Sequence, residues 1–303
     1  MGTCGAPSYG KIASFEQDES FSVNHNNNDN DSKNDNAIAF IGGGNMASAM
    51  IGGLIKQGMP PSSILVVDPF EPTRDKLLKD FGIQAKAAPS AELSDAGLII
   101  WAVKPQAFKD AAQQIGSYVP KALHFSVAAG IRSSSIAQWL NSDNVVRSMP
   151  NTPALIGKGI TALFARPAVT AASKAWIERV VASMGEFLWI EKESQLDAVT
   201  AISGSGPAYV FYFLEAMTEA ALSMGLSAEQ GRQLAIATFN GASELAHRSD
   251  EPLETLRQRV TSKGGTTYAA LTAMESANIK QHFMQAIQAA EKRAKELGDE
   301  FGN

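Results

Sequence analysis

The chain has one cysteine and four histidines in 303 residues. A lone Cys4 excludes an internal disulfide and leaves the folded body without a thiol nucleophile, which fits a reducing compartment. So few soft ligands leave little material for a metal site, and none is expected. Lys and Arg nowhere gather into a basic patch and the formal charge is −5, which argues against a nucleic-acid partner. No uninterrupted apolar run is long enough to cross a bilayer, so no membrane span is expected. The first residues lack the basic start and apolar stretch of a secretory signal. They are also acidic, unlike an organelle transit peptide, and a cytoplasmic location is the expectation. Met1-Gly2 opens like a myristoylation signal, but Ala6 stands where Ser or Thr is wanted.

What is present is ordinary globular material, 45% hydrophobic and 19% charged, long enough for two domains with separate cores. Residues 24–36 are the exception. They read NHNNNDNDSKNDN, with no apolar residue to bury, so residues 1–36 are expected to be a disordered extension.

From Ala37 short apolar runs alternate with helix-length segments, the pattern of a parallel sheet with crossover helices. The runs are AIAFI (37–41), ILVVD (64–68), GLIIWAV (97–103), ALHFSVAA (122–129), NVVRSM (144–149), ITALFA (160–165) and EFLWI (186–190). Their continuous hydrophobicity suggests strands covered on both faces. Segments 45–57, 105–118 and 170–184 carry helical spacing between them. After Glu193 the strands stop, and Ala-rich helical segments follow at 207–224, 228–247, 252–262, 266–275 and 279–298. Gly225 is placed as a helix C-cap and Pro252 as a first helical residue. The fold class is therefore α/β, a Rossmann-type doubly wound parallel sheet (37–193) followed by an all-α domain (194–303). Small residues let helices approach closely, so a homodimer built on the helical domain is expected.

IGGGNMA (41–47) follows the first strand and opens a helix, with the spacing G-x-G-x-x-A at Gly42, Gly44 and Ala47. Gly42 permits the tight turn, Gly44 lets the backbone approach a pyrophosphate, and Ala47 lets the helix sit close on the strand. Phosphates then meet free N–H groups at the helix start, beside Asn45 and Met46. The second strand ends in Asp68, at the spacing of roughly 20 residues that a dinucleotide site requires. An acid there can hold the ribose 2′-OH of NADH and repel the 2′-phosphate of NADPH, whereas Arg74 nearby can accept that phosphate. Both cofactors stay open, with the acid favouring NADH.

Five further segments carry a resemblance: AVKP (102–105), SVAAGI (126–131), MPNTPALIGKG (149–159), SGSGPAYVF (203–211) and VTSKGGTTYAAL (260–271). In this order and spacing the chain, from residue 37 to about 298, resembles pyrroline-5-carboxylate reductase. The resemblance implies reduction of 1-pyrroline-5-carboxylate to L-proline, with NADPH or NADH as cofactor. It implies that Val103, Lys104, Pro105, Ala128, Ala129 and Gly130 lie near the nicotinamide, with Asn151 and Thr152 lining the same crevice. It further implies that Ser262, Lys263, Gly264, Gly265 and Thr266 take the substrate carboxylate and that Thr267 hydrogen-bonds the ring nitrogen. It implies, too, a dimer through the helical domain, each site completed by the partner, with dimers able to assemble further. Lys263 departs from the family, which often has proline there. It either helps to draw in the carboxylate or points outward.

The residues agree on chemical grounds. Hydride comes from the cofactor, so the protein supplies orientation and electrostatics. A Gly-rich Ser/Thr loop at a helix start offers N–H and O–H donors for a carboxylate. Thr267 need not be a strong acid, because the imine can arrive already protonated, and no His/Asp pair is needed. Lys104 contacts the cofactor or is a solvated loop residue. SGSGP is a hinge or a site wall, His124 and Trp101 are packing residues, and Arg147 holds the MPNTP turn rather than acting as a catalyst. A β-hydroxyacid dehydrogenase would need a K-x-x-N helix motif, and Lys33–Asn36 lies ahead of the first strand. A reductase of other cyclic imines would lack the 262–267 loop, and a non-enzymatic dinucleotide-binding regulator would show no turnover.

Overall fold

The computed structural model describes residues 37–301, and the expectations for the first 36 residues lie outside it. All seven apolar runs are strands: β1 Ile38–Ile41, β2 Ile64–Val67, β3 Leu98–Trp101, β4 Leu123–Ser126, β5 Val145–Met149, β6 Gly159–Ala165 and β7 Gly185–Trp189. They form one sheet in the order β2-β1-β3-β4-β5-β6-β7. Helices α1 Asn45–Lys56, α2 Glu71–Phe81, α3 Pro105–Ile115, α4 Ser133–Leu140 and α5 Ala171–Ala182 connect them.

The sheet is parallel except between β5 and β6, which run antiparallel with Val146 opposite Ala165 and Met149 opposite Ala162. The cause is connection length. Only residues 150–158 join the two strands, whereas a parallel crossover needs about a dozen or more. Strand order reverses direction between β1 and β3, and in such sheets ligands bind beyond the carboxyl ends of the strands at that switch point.

Apolar side chains fill both faces, as continuous hydrophobicity requires. Ile38 and Phe40 of β1 join Met50, Leu54 and Val180 on one face, while Ala39 and Ile41 join Trp101, Phe108 and Ile136 on the other. Each large apolar side chain so buried contributes about 1.5–3 kcal/mol. Ala47 is fully buried in the first of these clusters, so α1 sits hard against the sheet.

Contacts divide the chain into two compact units. The first runs to Gly204 and regains the chain from Ala294, and the second is Ser205–Arg293. Helical structure begins at α6 Gln195–Val199, close to where strands were expected to end, and continues through a π-helical turn at Thr200–Gly204. These residues nonetheless belong with the sheet, since α6 lies against β5 and β6.

The second unit holds α7 Gly206–Ser223, α8 Ala228–His247, α9 Leu253–Arg259, α10 Thr266–Ser276 and the first part of α11 Ile279–Phe301. Gly225 follows the cap residue Met224 at a φ of 90°, and Leu226 N–H and Gly225 N–H close back on the carbonyls of Ala221 and Leu222. That is a Schellman ending, and it reverses the chain into α8. Ser227 and Gln230 form a reciprocal capping box at the start of α8. Pro252 stands one place earlier than expected, as the N-cap of α9 rather than its first helical residue. Where α7 meets α8, a Cβ on Gly231 would come within 2.8 Å of the Ala221 Cβ, so small residues set the helix separation.

This unit has almost no core of its own. In α7 and α8 only Ala221, Gly231 and Ala235 are buried, and α9 and α10 bury nothing. Phe211, Tyr212, Leu234 and Leu245 are among its exposed large apolar side chains. Exposed apolar side chains grouped on helices in this way are what a binding surface presents.

Candidate active site

The phosphate turn sits at the switch point. Gly42 leaves β1 at a φ of 94°, and its N–H donates to the Val67 carbonyl at 2.8 Å. A Cβ there would stand 2.6 Å from the Ala102 carbonyl oxygen, so only glycine fits between β1 and β3. Gly44 is the N-cap of α1, and a Cβ on it would meet nothing within 4 Å. Open space thus lies over the helix start. No side chain caps α1 and its first turn holds no acid. The free amides of this turn, with exposed Asn45 and half-buried Met46 on it, suit a pyrophosphate. The residues present therefore fit a dinucleotide.

The neighbouring strand ends carry the other residues expected near the nicotinamide. Val103 packs against Gly42, Lys104 is an exposed N-cap of α3, and Pro105 occupies the first helical turn. After β4 the Ala128 N–H donates to the Ser126 hydroxyl at 3.3 Å, and half-buried Ala129 follows. Gly130, at a φ of 77°, passes against Leu297 of α11. Asp68 is buried, with Oδ2 accepting from the Gly43 N–H and Oδ1 from the Phe70 N–H, both at 2.8 Å. Both of its oxygens thus already serve the protein backbone.

Asn151 is similarly engaged. Its Oδ1 accepts from the Ile160 N–H at 3.0 Å and its Nδ2 donates to the Ser203 hydroxyl at 3.2 Å. The side chain ties the 150–158 connection to β6 and to the π-helical turn, which makes it a positioning residue. Thr152 is exposed at the start of the short 3-10 turn that follows. SGSGP meets the boundary between the two units, at Gly204 and Ser205.

A buried ionic cluster behind these loops was only half legible in the sequence. Arg147 of β5 donates through Nη1 to Glu193 Oε1 at 2.6 Å. Glu193 also accepts from the N–H and the hydroxyl of Ser133, each at 2.6 Å, at the start of α4. Burial alone would raise the Glu193 carboxyl, but the Arg147 charge and the hydrogen bonds from Ser133 and Arg147 outweigh it and hold it below the usual carboxylate range. One carboxylate thereby joins the strand leading to Asn151 with the helix following Gly130. Arg147 could be read as a turn-holding residue, since a charge inside a strand needs a partner. Glu193 carried no local signal, because its partners come from β5 and α4.

His124 is a packing residue. It is buried on β4, its Nδ1 accepts from Trp101 Nε1–H at 3.3 Å, and its Nε2 has no partner among the described residues. Burial lowers its pKa to about 4, so it is neutral near pH 7 and takes no proton there.

In the helical unit, Ser262–Thr267 form an exposed loop running into α10. Gly264 turns the chain at a φ of 75°, and the Gly265 N–H donates to the Ser262 carbonyl at 3.0 Å. Gly265 is the N-cap of α10, again with no side-chain cap. The amides of the first turn and the hydroxyls of Ser262, Thr266 and Thr267 therefore share one short, solvent-facing stretch. Lys263 is exposed beside them. With no acid in the first turn of the helix, the stretch offers donors of the kind an anion needs.

A family model for pyrroline-5-carboxylate reductase dimerisation matches residues 193–297, and one for coenzyme F420-dependent NADP oxidoreductases matches residues 37–130. A pyrroline-5-carboxylate reductase of Pseudomonas aeruginosa is 42% identical over 268 residues, covering 88% of this chain and 98% of that one. The chain belongs to the pyrroline-5-carboxylate reductase family.

Solved structures agree. The reductase of this family from Coxiella burnetii superposes with a TM-score of 0.81 at 36% identity, covering 86% of this chain and 98% of that one. The Plasmodium falciparum pyrroline carboxylate reductase, solved with NADP bound, gives 0.77 at 29% identity over the same shares. The dimerisation model covers the unit whose apolar helices lack an internal core. Among the described residues no helix is long and apolar enough to cross a membrane, and no group of three or more His, Cys, Asp or Glu could hold a metal.

Proposed function

We propose that this chain reduces the C=N bond of 1-pyrroline-5-carboxylate to give L-proline. NADPH or NADH supplies the hydride when bound. The observation that carries the reading is the pair of uncapped helix starts, α1 and α10, one opening beneath Gly44 and the other at Gly265. A reaction joining a pyrophosphate-bearing cofactor to a small carboxylate-bearing imine needs both kinds of anion site.

Residues 42–47 hold the pyrophosphate, and Val103–Pro105 with Ala128–Gly130 form the wall for the nicotinamide. Asn151 keeps the 150–158 connection in place beside them. Ser262–Thr266 take the substrate carboxylate through N–H and O–H donors. The Thr267 hydroxyl hydrogen-bonds the ring nitrogen and fixes the face of the imine. The nitrogen arrives protonated, so hydride addition to carbon yields the amine directly and no protein acid is required. That agrees with His124, which is buried and neutral near pH 7.

The working form proposed is a cytoplasmic homodimer joined through the helical unit, with dimers able to assemble further. The lone Cys4 fits a reducing compartment. Loss of absorbance at the nicotinamide band, on mixing the protein with 1-pyrroline-5-carboxylate and NADPH or NADH, tests the reading. Rapid loss with either cofactor supports it. No loss, in protein that binds the cofactor, overturns the substrate assignment.

A further inference from the structure

Resting on that cofactor reading, we propose that Arg74 receives the 2′-phosphate of NADPH, and that Asp68 is a strut of the phosphate loop rather than a selector for NADH. The acid ending β2 favours NADH only if its carboxylate is free to bond the ribose hydroxyls. Here each carboxylate oxygen already accepts a backbone N–H, from Gly43 and from Phe70, and the residue is only 6% exposed. Its charge is met by donors on both sides of the loop, which lessens its repulsion of a neighbouring phosphate.

Arg74 is differently placed. The first turn of α2 lies on the phosphate loop, since a Cβ on Gly43 would meet the Thr73 methyl at 2.9 Å. Arg74 follows Thr73, and its Nη1 donates to the Asp68 and Pro69 carbonyls at 3.0 and 2.7 Å. These bonds fix the guanidinium at the carboxyl end of β2. Its remaining N–H donors, on Nε and Nη2, make no bond to the described residues, and Arg74 forms no ion pair there. The side chain is half-buried, so a charged fork stays accessible at the ribose end of the site. Lys86, whose backbone runs beside Asp68, is already paired with Glu92 at 3.4 Å. Glu71, also in the first turn of α2, is exposed.

The test is calorimetric titration of the full-length protein with 2′,5′-ADP and with 5′-AMP, which differ only in the 2′-phosphate. The unaltered protein is expected to bind 2′,5′-ADP tighter by roughly tenfold or more, as charge-assisted hydrogen bonds imply. Arg74→Ala should erase that preference while holding the 5′-AMP affinity within roughly threefold. Arg74→Lys, which keeps the charge, should restore part of it. An unaltered protein without the preference, an Arg74→Ala protein that retains it, or an equal loss for both nucleotides overturns the proposal. The last of these outcomes is the one a purely structural Arg74 gives. Failure of the unaltered protein to bind NADPH, NADH and both probes is a different result. It overturns the cofactor reading itself, and the proposal with it.

Discussion

Replacing Glu193 with leucine should be among the more damaging single changes outside the hydrophobic core. Arg147 is 8% exposed in its side chain and Glu193 is 25% exposed. Among the described residues Arg147 Nε makes no hydrogen bond, so Glu193→Leu leaves a buried guanidinium without the carboxylate that accepts from its Nη1. Stranding one member of a buried pair costs about 3–5 kcal/mol, and the partial exposure of Glu193 puts this case near about 3 kcal/mol. The reverse change, Arg147→Met, is milder. Glu193 keeps the Ser133 N–H and hydroxyl as donors, which suggests a loss of about 1–2 kcal/mol. The double variant should recover most of the loss, because an apolar pair needs no desolvation of charge. Thermal unfolding followed by tryptophan fluorescence should show the Glu193→Leu midpoint lower by about 6–12 °C, at about 2–4 °C per kcal/mol. The sign with pH is fixed as well. The Glu193 carboxyl is held low in the folded state, so its stabilisation is complete above its unfolded pKa and is lost as pH falls through the folded value. The difference between the unaltered protein and Glu193→Gln should therefore shrink only below about pH 4.3, the ordinary glutamate value. Single variants that each move the midpoint by less than about 2 °C, or a double variant equal to the sum of the two, would refute the account.

Three other outcomes are expected. His124, at about 4, lies below its unfolded value of 6.5, so the unfolded chain binds the extra proton between those values and stability falls as pH drops through that window. Urea midpoints should report about 2 kcal/mol less stability at pH 5 than at pH 7.5, and a His124→Phe protein should lose that slope. Thr267→Ala should lower kcat by roughly tenfold or more while leaving the dissociation constant for the nicotinamide cofactor unchanged, and unaltered steady-state kinetics would remove the residue from the mechanism. Gly42→Ala must place a Cβ 2.6 Å from the Ala102 carbonyl oxygen at a φ of 94°. It should weaken NADPH binding by roughly tenfold or more in a fluorescence titration, and full retention of affinity would show that the turn can open without harm.

The strands were legible because each is a mainly apolar run between punctuating residues; β1 and β3 are buried throughout, whereas the edge strand β7 alternates between half-buried and exposed residues. The fingerprint at Gly42–Ala47 could be read for a similar reason: tight turn, open helix start and close helix packing each demand a small residue at a fixed spacing. Gly225 could be placed in the same way, since a reversal between helices needs a left-handed residue after the cap. The Ser262–Thr267 loop was visible as hydroxyls around glycines at a helix start. In all of these the determining interactions lie within a few residues of one another, so local sequence contains them.

Tertiary structure decided what depends on distant partners. The antiparallel entry of β6 follows from how a short connection can be routed, and no side chain announces it. Asp68, taken from position alone, suggested an NADH selector, yet whether its oxygens are free is settled by the Gly43 and Phe70 amides. Glu193 looked like one acid among many until Ser133 and Arg147 were brought to it from 60 and 46 residues away. The contact boundary at Gly204 rather than at the last strand has the same origin, because α6 is helical by its local sequence and belongs to the sheet by its packing. Sequence determined which residues bring donors, charges and small side chains to this protein. Folding decided which of those groups are already satisfied, because a hydrogen bond or an ion pair depends on separation in space and not along the chain.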